Sequence, residues 1–257
     1  MWRHLLNYRI FEYKGLTVII DDYGGKGNPQ MMFPLSEEGV TSEICAMIPE
    51  IAELAGVRSL SPLTAEMART FEIMFPESDA VPNRDLFDYV YLSSDLTELA
   101  GRKFHQKRNH ISSFTSSYPY KFEVIDEKNL PILKEAAETM YAISGGDLAD
   151  EYLAIREVID NFEALELRAA ILSVNGNIVA YTIGEKVNDD TAIIHIEKAN
   201  RKYPGAYATI NNMFAKSQFA NVTYINREED MGIEGLRKAK MSYNPHHFNE
   251  AYVIKFK

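Results

Sequence analysis

Between a β-rich run and a helical one, the chain carries Arg201-Lys202-Tyr203-Pro204-Gly205-Ala206-Tyr207. A turn that leaves a strand and opens a helix gathers unpaired backbone N–H groups at the positive end of the helix dipole, where anions settle. Gly205 has no Cβ, so a pyrophosphate can approach its main chain closely, and Arg201 and Lys202 add positive charge beside it. Pro204-Gly205 also suits a plain tight turn before a helix, and both readings stand. Upstream, Glu197 lies near the end of one expected strand, and Asn226 ends the next. Ligands in open α/β sheets collect at such strand ends. Glu197 is placed to accept a proton there, or else to pair with Lys198 or Arg201. Asn226 is placed to donate to a carbonyl, or else to cap the following turn.

Two further groups of charge stand out. Ile233, Leu236, Lys240 and Tyr243 share one face of an expected helix, so Lys240 interrupts an apolar stripe. With Lys238 it is suited to hold a phosphate or a substrate carboxylate. Alternatively Lys240 snorkels and Lys238 pairs with Glu234 at i, i+4. Residues 101–120 hold no acidic side chain, whereas Arg102, Lys103, Lys107 and Arg108 lie there with His105 and His110. At helical spacing Lys103 and Lys107 align beside Phe104 and Ile111, so one side can dock while the other meets a polyanion, tRNA or an anionic lipid surface. The alternative is a solvated helix that neutralises acidic surroundings. His195 falls inside a β pattern and reads as a core or cleft histidine rather than a metal ligand.

The elements that must position these groups follow from periodicity. In the first half, residues 17–20 form a strand closed by the Gly-rich turn at 21–25. Ile44, Ile48, Ile51 and Leu54 mark a helix ending at Gly56. Residues 57–60 make a strand, after which Ser61 as N-cap and Pro62 at the first position open a helix through Leu63, Met67, Phe71 and Met74. Residues 89–92 are a strand, and Ser94-Asp95 caps one long helix through Leu96, Leu99, Phe104, Ile111 and Phe114. The Ser- and Pro-containing stretch 112–119 is the best internal boundary. Beyond it come a strand at 122–124, two amphipathic helices, and strands 167–174 and 178–187 around Asn175-Gly176, a strong hairpin signal. A strand at 191–198, a helix at 206–219, a strand at 222–226, a helix at 231–243 and a strand at 250–256 complete the order βααβββαβαβ.

With 257 residues, 46% of them hydrophobic, the chain can bury one large core or two medium ones. A formal charge of −10 argues against a surface given over to nucleic acid and leaves room only for a local basic stripe. Cys45 is the single cysteine, and no Cys/His spacing resembles a zinc site, so no metal and a cytoplasmic setting are expected. No stretch reads as a signal peptide or approaches the roughly 18 apolar residues of a membrane span.

From residue 120 onward, the element order and the turn between its fourth strand and third helix resemble the GNAT family of N-acyltransferases. That family binds the pyrophosphate of acyl-CoA through a Q/RxxGxG/A motif. Aligned on Gly205, this chain has Lys202 at the first position and Tyr207 at the last. Residues 226–243, together with His195-Ile196-Glu197-Lys198-Ala199, resemble the domain at the C-terminal end of bacterial phosphatidylglycerol lysyltransferases. This resemblance implies an α/β (α+β) architecture of tandem GNAT-like domains, with mixed central sheets flanked by helices, and kinship to Fem aminoacyltransferases, which use aminoacyl-tRNA. The expected domains are 1–117 and 118–257. Relatives carry several dozen residues ahead of a segment like Trp2-Arg3-His4, so the first domain is expected to lack its first strand.

The implied reaction is attack by an amine or hydroxyl on the carbonyl of acyl-CoA or aminoacyl-tRNA. Glu197 would be the base and Asn226 the carbonyl donor. Tyr243 would be the leaving-group acid, as a tyrosine in this region is in many GNAT enzymes, unless it packs in the core. Arg201, Lys202, Gly205, Ala206, Tyr207, Lys238 and Lys240 form the expected donor-binding set, with acyl-CoA as one donor and no obligatory cofactor. Two other classes stand beside it. One is a non-catalytic GNAT-like binding or regulatory module, for which Tyr207 argues. The other is an RNA-binding accessory protein using the basic helix.

Overall fold

The N-terminal part of the chain builds its own sheet. In the computed structural model, which describes residues 7–22, 27–145 and 149–256, strands β1 (Arg9–Tyr13) and β2 (Leu16–Asp21) pair antiparallel around Lys14-Gly15. The Gly-rich turn expected at 21–25 lies partly outside the described residues, as does Trp2-Arg3-His4. Strand β3 (Gln30–Met31) leads to helix α1 (Ser42–Ala55). There Thr41 accepts the Ile44 N–H at 3.3 Å, and Gly56, at φ +68°, ends the helix in the left-handed conformation. Ile44, Ile48 and Ile51 are buried as the periodicity predicts, whereas Leu54, expected on the same stripe, is exposed. Strand β4 (Ser59–Leu63) and helix α2 (Ala65–Met74) correct one expectation. Ser61 and Pro62 stay in the strand, because Leu60, Ser61 and Leu63 are buried in the sheet. Thr64 is the N-cap, accepting the Met67 N–H at 3.2 Å. Strand β5 (Ala80–Pro82) follows.

Strand β6 (Asp88–Leu92) leads into helices α3 (Ser93–Glu98) and α4 (His105–Ser117), where one long helix was expected. The break falls at Leu99 and Gly101, with φ of +50° and +80°. The Arg108 guanidinium, coming back from α4, closes the Leu99 and Gly101 carbonyls. Strand β7 (Tyr120–Ile125), helices α5 (Leu130–Ile143) and α6 (Ala149–Asp160), and the meander β8 (Arg168–Val174), β9 (Asn177–Lys186) and β10 (Thr191–Ala199) follow as expected. Asn175 and Gly176 both take positive φ, which sets the β8–β9 register. Helix α7 (Ala206–Gln218) crosses to strand β11 (Tyr224–Asn226), parallel to β10. Helix α8 (Glu234–Met241) is shorter than expected because Met231 and Gly232 take positive φ.

The chain ends as two strands rather than one, β12 (His247–Asn249) and β13 (Tyr252–Lys255). They serve different sheets: β12-β6-β11-β10-β9-β8-β7, and β1-β2-β3-β4-β13-β5. The chain accordingly divides into two units, neither bounded at residue 117. One comprises Tyr89–Glu228 and Glu234–Phe248; the other takes the chain up to Asp88, Glu229–Ile233 and the end from Asn249. Helix α4 belongs with the later elements because Phe104 and Phe114 are fully buried in one core with Ile210 and Phe214. Burying a side chain of that size contributes roughly 1.5–3 kcal/mol. The last strand belongs with the earlier ones because Ile254 is buried beside Leu60 and Phe71.

Candidate active site

Strands β10 and β11 pair only from Thr191 to Ile193 against Tyr224 to Asn226, after which β10 continues to Ala199 alone on that side. A register shift between Ile194 and Ile196 marks a bulge in its pairing with β9. A bulge reverses which face later residues occupy. Before it, Ala192 and Ile194 pack in the core with α7; after it, Ile196 joins the core under α5 and α6, and Glu197 turns to α7. Thr182 donates its hydroxyl to the Ile196 carbonyl at 2.9 Å and holds the distortion.

Glu197 is thereby fixed at both oxygens. Arg227, just past the end of β11, donates from Nη2 to Oε1 at 3.0 Å, and Asn211 of α7 donates from Nδ2 to Oε2 at 2.8 Å. Only 11% of the Arg227 side chain and 10% of Glu197 is exposed. The guanidinium carbon lies 4.8 Å from the Tyr243 ring centroid and 5.7 Å from that of Tyr91. Lys107, from α4, places Nζ 3.7 Å from the same Tyr243 centroid and donates to Ser242 Oγ at 2.6 Å. Burial, then repulsion by Arg227, pulls the Lys107 amine down to about 8 against the attraction of Glu197. Two cations around one carboxylate leave an excess positive charge in a largely enclosed place.

Two buried polar atoms here have no hydrogen-bond partner, Arg227 Nη1 and Asn211 Oδ1. Each belongs to a side chain that already grips Glu197. Leaving such a group unpaired costs roughly 1–3 kcal/mol, so a donor and an acceptor flanking one carboxylate are suited to a ligand carrying a carbonyl and an N–H or O–H.

The other expected residues fall differently. Tyr243 is buried in the core, its hydroxyl pushed well above the usual range by burial. Asn226 accepts the Glu228 N–H at 2.8 Å and so closes the turn after β11. Lys240 is 8% exposed, so it does not snorkel. Its ammonium donates to the Arg227 and Glu228 carbonyls at 2.5 and 3.0 Å, while its own carbonyl accepts the Tyr91 hydroxyl at 2.8 Å. Lys238 is exposed.

Gly205 caps α7 at φ +91°, yet the room left by its missing Cβ is already filled. A Cβ there would stand 2.3 Å from the His110 carbonyl oxygen and 2.9 Å from the Phe114 Cβ. The glycine lets helix α4 approach on the side where a Cβ would stand. Ala206 is buried and its N–H closes the turn to Tyr203. Tyr207 is hydrogen-bonded to the Ala199 backbone, and Arg201 and Lys202 are exposed.

The basic stripe does not present itself outward as a unit. Arg102 is exposed, but Lys103 pairs with Asp95 at 2.8 Å, Arg108 caps α3, and Lys107 enters the site. His195 bridges two carboxylates, 2.7 Å from Glu228 and 3.0 Å from Glu185. Among the described residues no acidic, His and Cys cluster is arranged to hold a metal.

The residues that sequence reasoning passed over are Arg227, Asn211 and Tyr91. A usable signal was present in α7, where Asn211 and Asn212 follow Ile210 and precede Phe214 on a helix that is buried around much of its circumference. Two amides on such a helix must find partners. Asn212 caps the Leu96 and Thr97 carbonyls, and Asn211 holds Glu197.

A mixed sheet whose parallel strands part over a buried polar group, with a helix entering from the turn between them, defines an acyltransferase-like fold. The chain belongs to the family of the phosphatidylglycerol lysyltransferase C-terminal domain, which matches residues 1–255. It is similar to a conserved protein of unknown function from Bacteroides thetaiotaomicron, at 35% identity and a TM-score of 0.88 over 100% of this chain and 88% of that one. L-PGS from Bacillus licheniformis shares the fold at 15% identity and a TM-score of 0.64, covering 97% of this chain and 84% of that one. FemX does so at 8% identity and 0.59, covering 100% and 90%. Family and fold thus link the protein to aminoacyltransferases. A match to an uncharacterised protein from Mycoplasmoides gallisepticum, 21% identical over 174 residues, takes in 65% of this chain and spans 56% of that protein's length. Among the described residues no helix is long and apolar enough to cross a membrane.

Proposed function

We propose that the protein transfers an aminoacyl group from the ester of an aminoacyl-tRNA to a hydroxyl or amine acceptor, at the group formed by Arg227, Glu197, Asn211 and Lys107. The observation that carries this reading is the buried guanidinium, clamped by Glu197, whose Nη1 has no partner. An acceptor lone pair attacks the ester carbonyl carbon, and the oxygen that gains charge takes a hydrogen bond from Nη1. A fixed donor in an enclosed site stabilises such an oxyanion far more than water does. Lys107 in its neutral form takes the acceptor proton and returns it to the ribose oxygen as the C–O bond breaks. An amine titrating near 8 has a usable neutral fraction close to neutral pH. Asn211 Oδ1 is suited to accept from the α-ammonium group of the aminoacyl moiety.

An acyl-CoA donor has less in its favour, since His110 and Phe114 occupy the space beside Gly205. The family takes its name from a phosphatidylglycerol lysyltransferase, which makes a lipid glycerol hydroxyl the first acceptor to try. The test is to incubate the purified protein with radiolabelled aminoacyl-tRNAs and either phosphatidylglycerol vesicles or an amine-bearing peptide, and to count label in the acceptor. Arg227→Met should lower transfer by about 10²–10³-fold, as loss of an oxyanion donor does, with the circular dichroism spectrum unchanged. Transfer from acetyl-CoA but from no aminoacyl-tRNA would overturn the reading.

A further inference from the structure

The end of α8 brings a hydroxyl to the base of the proposed site. Ser242 follows the last residue of that helix and is exposed. Lys107 reaches it from α4, with Nζ 2.6 Å from Oγ, so its hydrogen bond goes to a hydroxyl rather than to a carboxylate. Lys103, one turn earlier on the same side of the chain, instead pairs with Asp95. A lysine that only tied α4 to α8 would keep its charge, which the face of the Tyr243 ring 3.7 Å away favours. Burial and the Arg227 guanidinium work the other way and pull the amine down to about 8.

A serine hydroxyl is a weak nucleophile alone and a strong one when an adjacent base takes its proton, and lysine is that base in Ser–Lys pairs on unrelated folds. The hydrogens here permit the exchange. With Lys107 charged, Nζ donates to Oγ, and the Ser242 hydroxyl donates to the Ala239 carbonyl at 2.5 Å. With Lys107 neutral, its lone pair accepts that hydrogen instead, and Oγ lies on the open side of the helix end, where an ester reaches it. The Ser242 N–H, bonded to the Lys238 carbonyl at 3.1 Å, fixes the backbone that carries it.

We propose that Ser242 is the first acceptor of the acyl group, so that transfer runs through an ester on its Oγ. Lys107 takes the hydroxyl proton as Oγ bonds to the carbonyl carbon, and gives it to the leaving oxygen of the donor as the donor C–O bond breaks. The second acceptor, a hydroxyl, an amine or water, then attacks the Ser242 ester. Lys107 takes its proton and returns it to Oγ as that ester bond breaks. Aminoacyl-tRNA as the donor rests on the function proposed above, whereas the Ser–Lys pair acts on any reactive ester that reaches it.

Reaction with p-nitrophenyl acetate tests the pair without tRNA. The whole protein should release a burst of about one p-nitrophenolate per chain, and peptide mass spectrometry should find the acetyl group on Ser242, labile to hydroxylamine as an ester is. Ser242→Ala and Lys107→Met should each lose the burst with the circular dichroism spectrum unchanged, and Ser242→Cys should keep it. Acetyl on the Lys107 nitrogen, resistant to hydroxylamine, or no acetyl at all, would overturn the proposal. In the aminoacyl-tRNA assay without acceptor, label should stay on the wild-type chain and be absent from Ser242→Ala, whose transfer should fall by about 10²-fold or more. Transfer by Ser242→Ala at the wild-type rate would remove the covalent step and leave the donor reading standing. Acetylated Ser242 with no transfer from any aminoacyl-tRNA would remove the donor reading and leave the pair standing.

Discussion

Lys107 and Arg227 share one aromatic ring: Nζ of the first is 3.7 Å, and the guanidinium carbon of the second 4.8 Å, from the centroid of Tyr243. Two cations against one ring repel, and what holds them is the negative face of the ring together with the Glu197 carboxylate bonded to Arg227. The repulsion and the burial fall on Lys107, the only one of the two that can release its proton within the accessible range.

The transfer rate should therefore rise with pH through about 8 and then level off. Lys107→Arg, charged at every usable pH, should lose that rise and most of the activity. Stability gives an independent readout. The amine titrates lower in the folded chain than at its ordinary 10.5, so between the two values the unfolded chain binds more protons and stability increases with pH. Lys107→Met should raise Tm relative to wild type below pH 8, and the difference should close as the pH approaches 10. A constant difference would show that Lys107 does not titrate in this range.

Gly205 is predicted to matter for folding before it matters for any ligand. Gly205→Ala would force a side chain to φ +91° and press its Cβ into the His110 carbonyl. A left-handed non-glycine residue costs about 1–2 kcal/mol and overpacking a further 1–3 kcal/mol. Urea unfolding should show a loss of this combined size. A variant of wild-type stability with a raised KM for the donor would instead return the turn to an anion-binding role.

These two cases show where sequence reasoning reaches. The Asn175-Gly176 hairpin and the helix after Gly205 were legible because local backbone preference and periodicity set them. The uses of Gly205 and Lys107 were not, because the atoms they meet come from distant parts of the chain. Ser242, which Lys107 bonds, is 135 residues away, and Arg227, which holds Glu197, is 30 residues beyond it. The bulge that turns Glu197 toward α7 leaves no residue-type signature in an unbroken β pattern. The swap at the C-terminus, with β12 and β13 in different sheets, was hidden for the same reason: strand character is local, whereas choice of partner is not.

Lys240 separates a structural lysine from a ligand-binding one. Its ammonium bonds two carbonyls of the turn that carries Arg227. Lys240→Met would leave those acceptors short of a charged donor and should destabilise by about 2 kcal/mol, on the scale of lost charge-assisted bonds. Because the turn positions Arg227, kcat should fall while the donor KM stays near wild type. A rise in KM with unchanged stability would show that Lys240 holds the ligand.

His195 makes the protein's stability depend on pH in the opposite sense to Lys107. Burial of the ring disfavours its charged form, but the hydrogen bonds and charges of Glu228, then of Glu185, outweigh this and raise its pKa above the usual 6.5. Between 6.5 and the folded value, the folded chain binds the extra proton, so its contribution is complete below 6.5 and is lost as pH rises through the folded pKa. Once the imidazole is neutral, at most one of its two carboxylate neighbours can receive an N–H, and the other faces a lone pair. His195→Asn, which cannot be charged, should lower Tm most near pH 6 and progressively less at higher pH. Measured across pH 5.5 to 9, a gap that widens with pH would mean that the folded chain holds the ring neutral and binds no extra proton at this site.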